Sequence, residues 1–159
     1  MKTLFFKLII LLVLVTTFAA CDQYDQKLKT HVTAVQNIDE PADNYSVTLK
    51  VSTNLIFSWE PATAEDGEMV LYEVFFDRMG GDFSNPVSIV VSDQSGSQPR
   101  ATISHAQLND IAAQMGIEKG GKGKFIWTVV SSKGINPMKA TQSRTLEVSR
   151  SEGLSDDSD

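Results

Sequence analysis

The chain has 159 residues, with 14 Lys and Arg against 20 Asp and Glu, a net charge of −6, one Cys and two His. That length fits one ordinary domain; a single Cys forbids an internal disulfide, and one Cys with two His cannot build a Cys/His zinc centre. The acidic balance excludes a general nucleic-acid binder, whose phosphate contacts need a Lys/Arg surplus.

Residues 1–20 read as a targeting segment. Lys2 and Lys7 give a positive start, Leu8 to Val15 is an unbroken apolar run, and the small pair Ala19-Ala20 precedes Cys21. The run is shorter than the ~20 apolar residues that span a bilayer. Thr17-Phe18-Ala19-Ala20-Cys21 resembles a bacterial lipobox, which implies lipidation of Cys21 and cleavage before it. A single acyl chain anchors marginally and two hold stably, at ~0.8 kcal/mol per buried CH₂. Loss of Lys2 and Lys7 leaves 12 basic and 20 acidic residues, a net of −8, so the expected membrane attachment runs through lipid rather than charge. Residues 21–30 are polar and read as a tether. Asp22 and Asp25 resemble the acidic surface-export signals of some Gram-negative glycan degraders; either face of the outer membrane stays open.

From residue 31 to 149 the chain alternates with period two. Strands are predicted at His31–Gln36, Ser46–Val51, Leu55–Glu60, Val70–Arg78, Val87–Ser92, Arg100–Ser104, Lys124–Ser131 and Arg144–Ser149. Asp39-Glu40-Pro41, Ala64 to Gly67, Met79-Gly80-Gly81, Ser95-Gly96-Ser97 and Gly134 to Pro137 supply turns between them. Many short strands at this spacing argue for an all-β sandwich of about seven strands. The alternation turns Leu55, Phe57 and Trp59 inward, with Tyr72, Val74 and Phe76, then Phe125, Trp127 and Val129, then Leu146 and Val148. Ile56, Phe75, Ile126 and Val130 lie on the opposite faces, so cover by the helix or by a partner is expected there.

One segment breaks the pattern. Ser104-His105-Ala106-Gln107 is a capping box, and Leu108, Ile111, Ala112 and Met115 follow helical spacing. Gly116 supplies the left-handed end, so one short helix is predicted over about 105–115. Glu118 to Lys124, with three Gly and three Lys, reads as a mobile basic loop, and residues 150–159 as a disordered tail.

The run Leu55 to Pro61 followed by Tyr72-Glu73-Val74, with Ile126-Trp127-Thr128-Val129 later, resembles the immunoglobulin/fibronectin-type-III pattern, in which an inward Trp packs on an inward Tyr. With Asp82-Phe83-Ser84-Asn85-Pro86 and the Leu108-Asn109 helix added, the chain resembles the N-terminal domain of the SusE/SusF outer-membrane lipoproteins. Trp59, Tyr72 and Trp127 are the core signature of that resemblance. It implies a surface lipoprotein of a starch- or glycan-utilisation system, beside a TonB-dependent porin and a glycan-binding lipoprotein. In that family the glycan-binding modules lie downstream of this domain; here the sandwich is expected to end near residue 149 without them, so no family sugar-binding residue carries over.

An aromatic face can cover a pyranose ring. Trp59 and Trp127 are expected in the core, which leaves Tyr24, Tyr45 and Phe83 as exposed candidates, Phe83 doubling as a loop anchor. Glu65, Asp66 and Glu68 lack calcium-loop spacing, and His31 and His105 lie far apart, so no metal or other cofactor is expected. With no Gly-x-Ser-x-Gly, Walker or His-Glu-x-x-His motif, no catalytic residue is assigned and an enzyme is not expected. Two readings compete. One is a non-catalytic accessory that touches oligosaccharide weakly or docks beside a porin. The other is a structural adaptor that contacts proteins and binds no sugar.

Overall fold

Alternating apolar and polar side chains set the strands of this chain, and their apolar halves meet in one core. The computed structural model describes residues 29–152; the expectations for the leader, Cys21, Tyr24 and residues 153–159 lie outside the described residues. Among the described residues the elements are β1 (Ile38–Glu40), β2 (Tyr45–Thr48), β3 (Asn54–Trp59), β4 (Leu71–Arg78), β5 (Ser88–Val91), β6 (Arg100–Ser104), α1 (His105–Gln114), β7 (Lys122–Ser132), β8 (Met138–Lys139) and β9 (Arg144–Ser149). One sheet has the order β1-β3-β6, the other β2-β9-β7-β4-β5 with β8 on β7. β2 runs parallel to β9; the other pairings are antiparallel. This is the all-β sandwich that the alternation predicts, with the helix in the β6–β7 crossover.

The inward faces fall where the pattern places them. Trp59 is 2% and Trp127 0% exposed. Trp59 lies on β3 with its ring centre 5.7 Å from that of Tyr72 on β4, and Trp127 meets Phe57 edge-on at 4.8 Å. Each such pair adds ~0.5–1.5 kcal/mol beyond the area it buries. The Tyr72 hydroxyl bonds to the Ala62 N–H at 3.0 Å, which fixes the corner before β4. Of the second-face residues, Val130 is buried, Phe75 and Ile126 are half-buried and Ile56 is exposed. The helix is not their cover, because its stripe of Leu108, Ile111 and Ala112 enters the core.

Local signals set the helix. The Ser104 Oγ accepts from the Gln107 N–H at 3.1 Å. At the other end the Gly116 N–H donates to Ala113 O and the Ile117 N–H to Ala112 O, a Schellman pair around Gly116 at φ 89°. Asn109 is fully buried on this helix, and its Oδ1 accepts from Arg150 Nε at 2.9 Å. A buried amide needs such a partner.

Four expectations change. Arg150 is 5% exposed and donates its backbone N–H to Gly121 O, so the body runs past 149. The basic loop is shorter than expected: β7 starts at Lys122, with Lys122 and Lys124 registered on Ser149 and Glu147 of β9. Gly123 makes this fit, since a Cβ there would lie 2.5 Å from Ile117 Cγ1. Residues 31–36 form no strand beyond a single Val32–Ala64 bridge; Val32 and Val35 are buried in the core. Among the described residues there are nine strands where about seven are expected: β1 forms where Asp39-Glu40 reads as a turn, and β8 just after the turn that ends at Pro137.

A candidate binding groove at the rim of the sandwich

Where β2 and β3 approach the first corner of the chain, the sandwich opens into a groove of about 480 Å³. It is lined by Asp39, Glu40, Pro41, Ala42, Tyr45, Asn54, Leu55 and Ile56. A second hollow of about 370 Å³ shares Tyr45, Asn54 and Leu55 and continues past Ser46, Thr48, Lys50, Thr53 and His105. Tyr45 has the same strand parity as buried Val47, but it sits at the first position of β2, where the sheets no longer cover it. It is 43% exposed, as is Ile56.

The wall is built by backbone hydrogen bonds and one cation. The Arg144 guanidinium, from β9, donates to the carbonyls of Asp39 at 3.0 Å and Pro41 at 2.6 Å, and also to that of Ile38. Asp43 Oδ1 accepts from the Thr145 N–H at 2.8 Å, and the Tyr45 N–H donates to Ala42 O at 3.1 Å. Asn44, at φ 58°, lets the chain turn sharply between these two bonds. The far end is held by His105. The residue is 4% exposed, and its Nδ1 accepts from the Lys50 N–H at 2.9 Å. Burial, reinforced by the Lys50 charge, holds the imidazole below its ordinary value and keeps it neutral.

The groove thus offers one aromatic ring, two carboxylates from Asp39 and Glu40 and the Asn54 amide, with Thr48 and Thr53 lining the adjoining hollow. Such a set can satisfy hydroxyl donors and acceptors while an apolar face lies on the ring. His105 is committed to Lys50 and is not a free base. Among the described residues no three His, Cys, Asp or Glu side chains group as a metal site. Asp66 pairs with Lys133 at 2.5 Å and accepts from the Glu68 N–H, closing its own turn.

A family model described as SusE outer membrane protein matches residues 23–130. The chain belongs to the SusE family. That makes it a protein of the outer-membrane Sus system, in a family of non-enzymatic accessories. The SusE match takes in the groove residues from Asp39 to Ile56 and ends inside β7, short of Arg144. No curated protein matches the chain.

The sequence-predicted residues separate in this SusE body. Tyr45 lines the groove; Phe83 does not join it. Phe83 is 8% exposed and lines a different hollow, with Phe75, Val130, Pro137 and Lys139. The ring therefore offers no open stacking face, which corrects the expectation of an exposed aromatic there. Its backbone sits at φ 65°, uncommon for a bulky residue, because its N–H donates to Asp77 Oδ2 at 3.1 Å while Lys139 Nζ lies 5.5 Å from the ring centre. The loop-anchor half of the expectation fits this burial. Asp39, Glu40 and Asn54 do not stand out in the sequence, where the first two read only as turn residues.

Proposed function

We propose that this protein is a lipid-anchored, non-catalytic accessory of a glycan-utilisation system. Residues 1–20 are its leader, Cys21 its anchor and residues 21–30 its tether. The body holds starch-like oligosaccharide weakly along the Tyr45 groove, beside a TonB-dependent porin and a glycan-binding lipoprotein. The observation that carries sugar contact is an exposed tyrosine set beside carboxylate and amide groups in a wall fixed by Arg144. A pyranose ring has an apolar face for Tyr45 and hydroxyls for Asp39 and Asn54. Contact is weak because the groove is open and displaces little water-exposed surface.

The test is affinity-gel electrophoresis and calorimetry of residues 22–159 against α- and β-glucans. Retardation by at least one glucan is expected, lost about tenfold or more in Tyr45→Ala, which leaves stability within about 0.5 kcal/mol. A chain retarded by no glucan in the panel removes direct capture. The anchor is read separately, by mass spectrometry of the protein from its own membrane: an unmodified Cys21 removes it.

A further inference from the structure

The Tyr45 groove has a wall of open backbone. β3 lies between β6 on one side and β1 on the other, and β1 covers only part of it. The Trp59 N–H donates to Pro99 O, and the His105 N–H donates to Thr53 O, both across the β3–β6 side. Hydrogen-bonded pairs alternate along an antiparallel ladder. Residues 53, 55, 57 and 59 therefore bond toward β6, while Asn54, Ile56 and Ser58 turn their N–H and C=O groups the other way. Two bonds of β6 agree with this phase: the Thr102 N–H goes to Asp93 Oδ1, and the Arg100 C=O accepts from the Asp93 N–H, both away from β3.

Ser58 is taken by β1, where Glu40 pairs with it. There the cover stops, because Pro41 has no N–H to continue the ladder. Among the described residues no group bonds to the N–H or the C=O of Ile56. The backbone of Asn54 is open in the same way, and both residues line the groove together with Tyr45.

We propose that the outward N–H and C=O of Ile56 bind a vicinal diol, two hydroxyls on neighbouring carbons of a sugar ring. This rests on the sugar-binding reading of the Tyr45 groove and adds a selection rule to it. One hydroxyl accepts from the N–H while its neighbour donates to the C=O, so one ring satisfies both groups. Water holds them in the free protein, and the diol takes its place with the hydrogen bonds kept. A ring stacked on Tyr45 carries its hydroxyls around its rim, where a strand edge can meet them. A peptide strand would match the same groups, but the open stretch is only about 10 Å long, from the turn at Thr53 to the pairing of Glu40 with Ser58. Strands ordinarily run about 17–20 Å. Linkage then decides which glucans fit. A (1→4)-linked chain leaves the 2- and 3-hydroxyls of each ring free, whereas a (1→3)-linked chain spends O3 and has no vicinal pair in its interior.

The test uses residues 22–159, which keep every core residue, in NMR titration and affinity-gel electrophoresis. Maltoheptaose is expected to bind and to shift the Ile56 amide resonance. Its O6-methylated form should bind within about threefold of it. Its O2,O3-methylated form and laminariheptaose should bind about tenfold or more weakly, since a donor and an acceptor are both lost. Ile56→Pro removes the N–H from the open side of the strand, where proline is tolerated, and should weaken maltoheptaose by about tenfold. Ile56→Val keeps the backbone and should stay within about threefold. If the proline variant fails to fold, the methyl ethers and the amide shift still decide. Equal binding of the two methyl ethers overturns the proposal, as does laminariheptaose bound as tightly as maltoheptaose. So does a bound state in which the Ile56 amide does not move, or a folded Ile56→Pro that binds like the wild type. A chain that binds no glucan removes the sugar-binding reading and this rule together; glucan binding without preference for the diol removes the rule alone.

Discussion

The two margins of this sandwich are built from different materials. On the Tyr45 side, strands end in polar joints: Arg144 on three carbonyls, Asp43 on Thr145, His105 on Lys50. On the β5 side, Ile89 and Val91 stand exposed beside the half-buried Phe75, while Phe83 and Val130 are buried. Polar joints fix a groove without filling it, which suits a small hydroxylated ligand. An exposed apolar strand face offers no such polar set, and its free backbone groups bond water. The two margins thus differ in what they can hold.

The strongest way to break the contrast is Arg144→Ala. Three carbonyls lose a charged donor at once, and hydrogen bonds to charged groups contribute ~1.5–3 kcal/mol each when intact, less where water can replace them. The expected loss is about 2–4 kcal/mol in chemical denaturation, accompanied by loss of any glycan retardation. Arg144→Lys should restore little, because one ammonium cannot match a planar fork aimed at several acceptors. A neutral Arg144→Ala would mean that the wall stands on backbone bonds alone.

How much of this is legible in the sequence follows from where each signal is encoded. Trp59, Tyr72 and Trp127 fall where the sequence places them because period-two alternation is local. The helix ends within a residue of its expected bounds because Ser104, Gln107 and Gly116 encode them within one turn. The groove is not legible beyond Tyr45. It is assembled from residues 39–42, 45 and 54–56, and its clamp, Arg144, arrives from about a hundred positions away. Phe83 misleads for a related reason: its loop position suggests exposure, but Asp77 and Lys139 close over it from two other elements. Arg150 reads as the start of a polar tail because its partner, Asn109, lies on the far side of β7 in sequence.

Acid should separate the margins next. The folded state holds the His105 imidazole below its ordinary value of 6.5, and only the neutral ring can accept from the Lys50 N–H. Above 6.5 both folded and unfolded chains are neutral there, and the full stability is present. As pH falls below 6.5 the unfolded chain takes up a proton that the folded chain resists, so stability declines toward the lower folded value. Melting followed from about pH 7.5 to about pH 5 should show this decline. It should be absent in His105→Asn, whose amide oxygen can take the place of Nδ1. His105→Ala should cost about 1–3 kcal/mol at neutral pH by leaving the Lys50 N–H without its acceptor. A pH profile identical in the wild type and His105→Asn would assign the acid response elsewhere.

The smallest effect belongs to the other margin. Lys139 donates to Asp82 O at 3.0 Å and covers the Phe83 ring, but its side chain stands in solvent. A cation over an aromatic face at an exposed site contributes ~0.5–1 kcal/mol. Lys139→Ala should therefore lower stability by about 1 kcal/mol or less. It should uncover the Phe83 ring and enlarge the apolar face next to β5, and it should leave glucan retardation untouched. If Lys139→Ala weakened glucan retardation as strongly as Tyr45→Ala, the two margins would be parts of one surface, and the division of labour between polar groove and apolar edge would have to be abandoned.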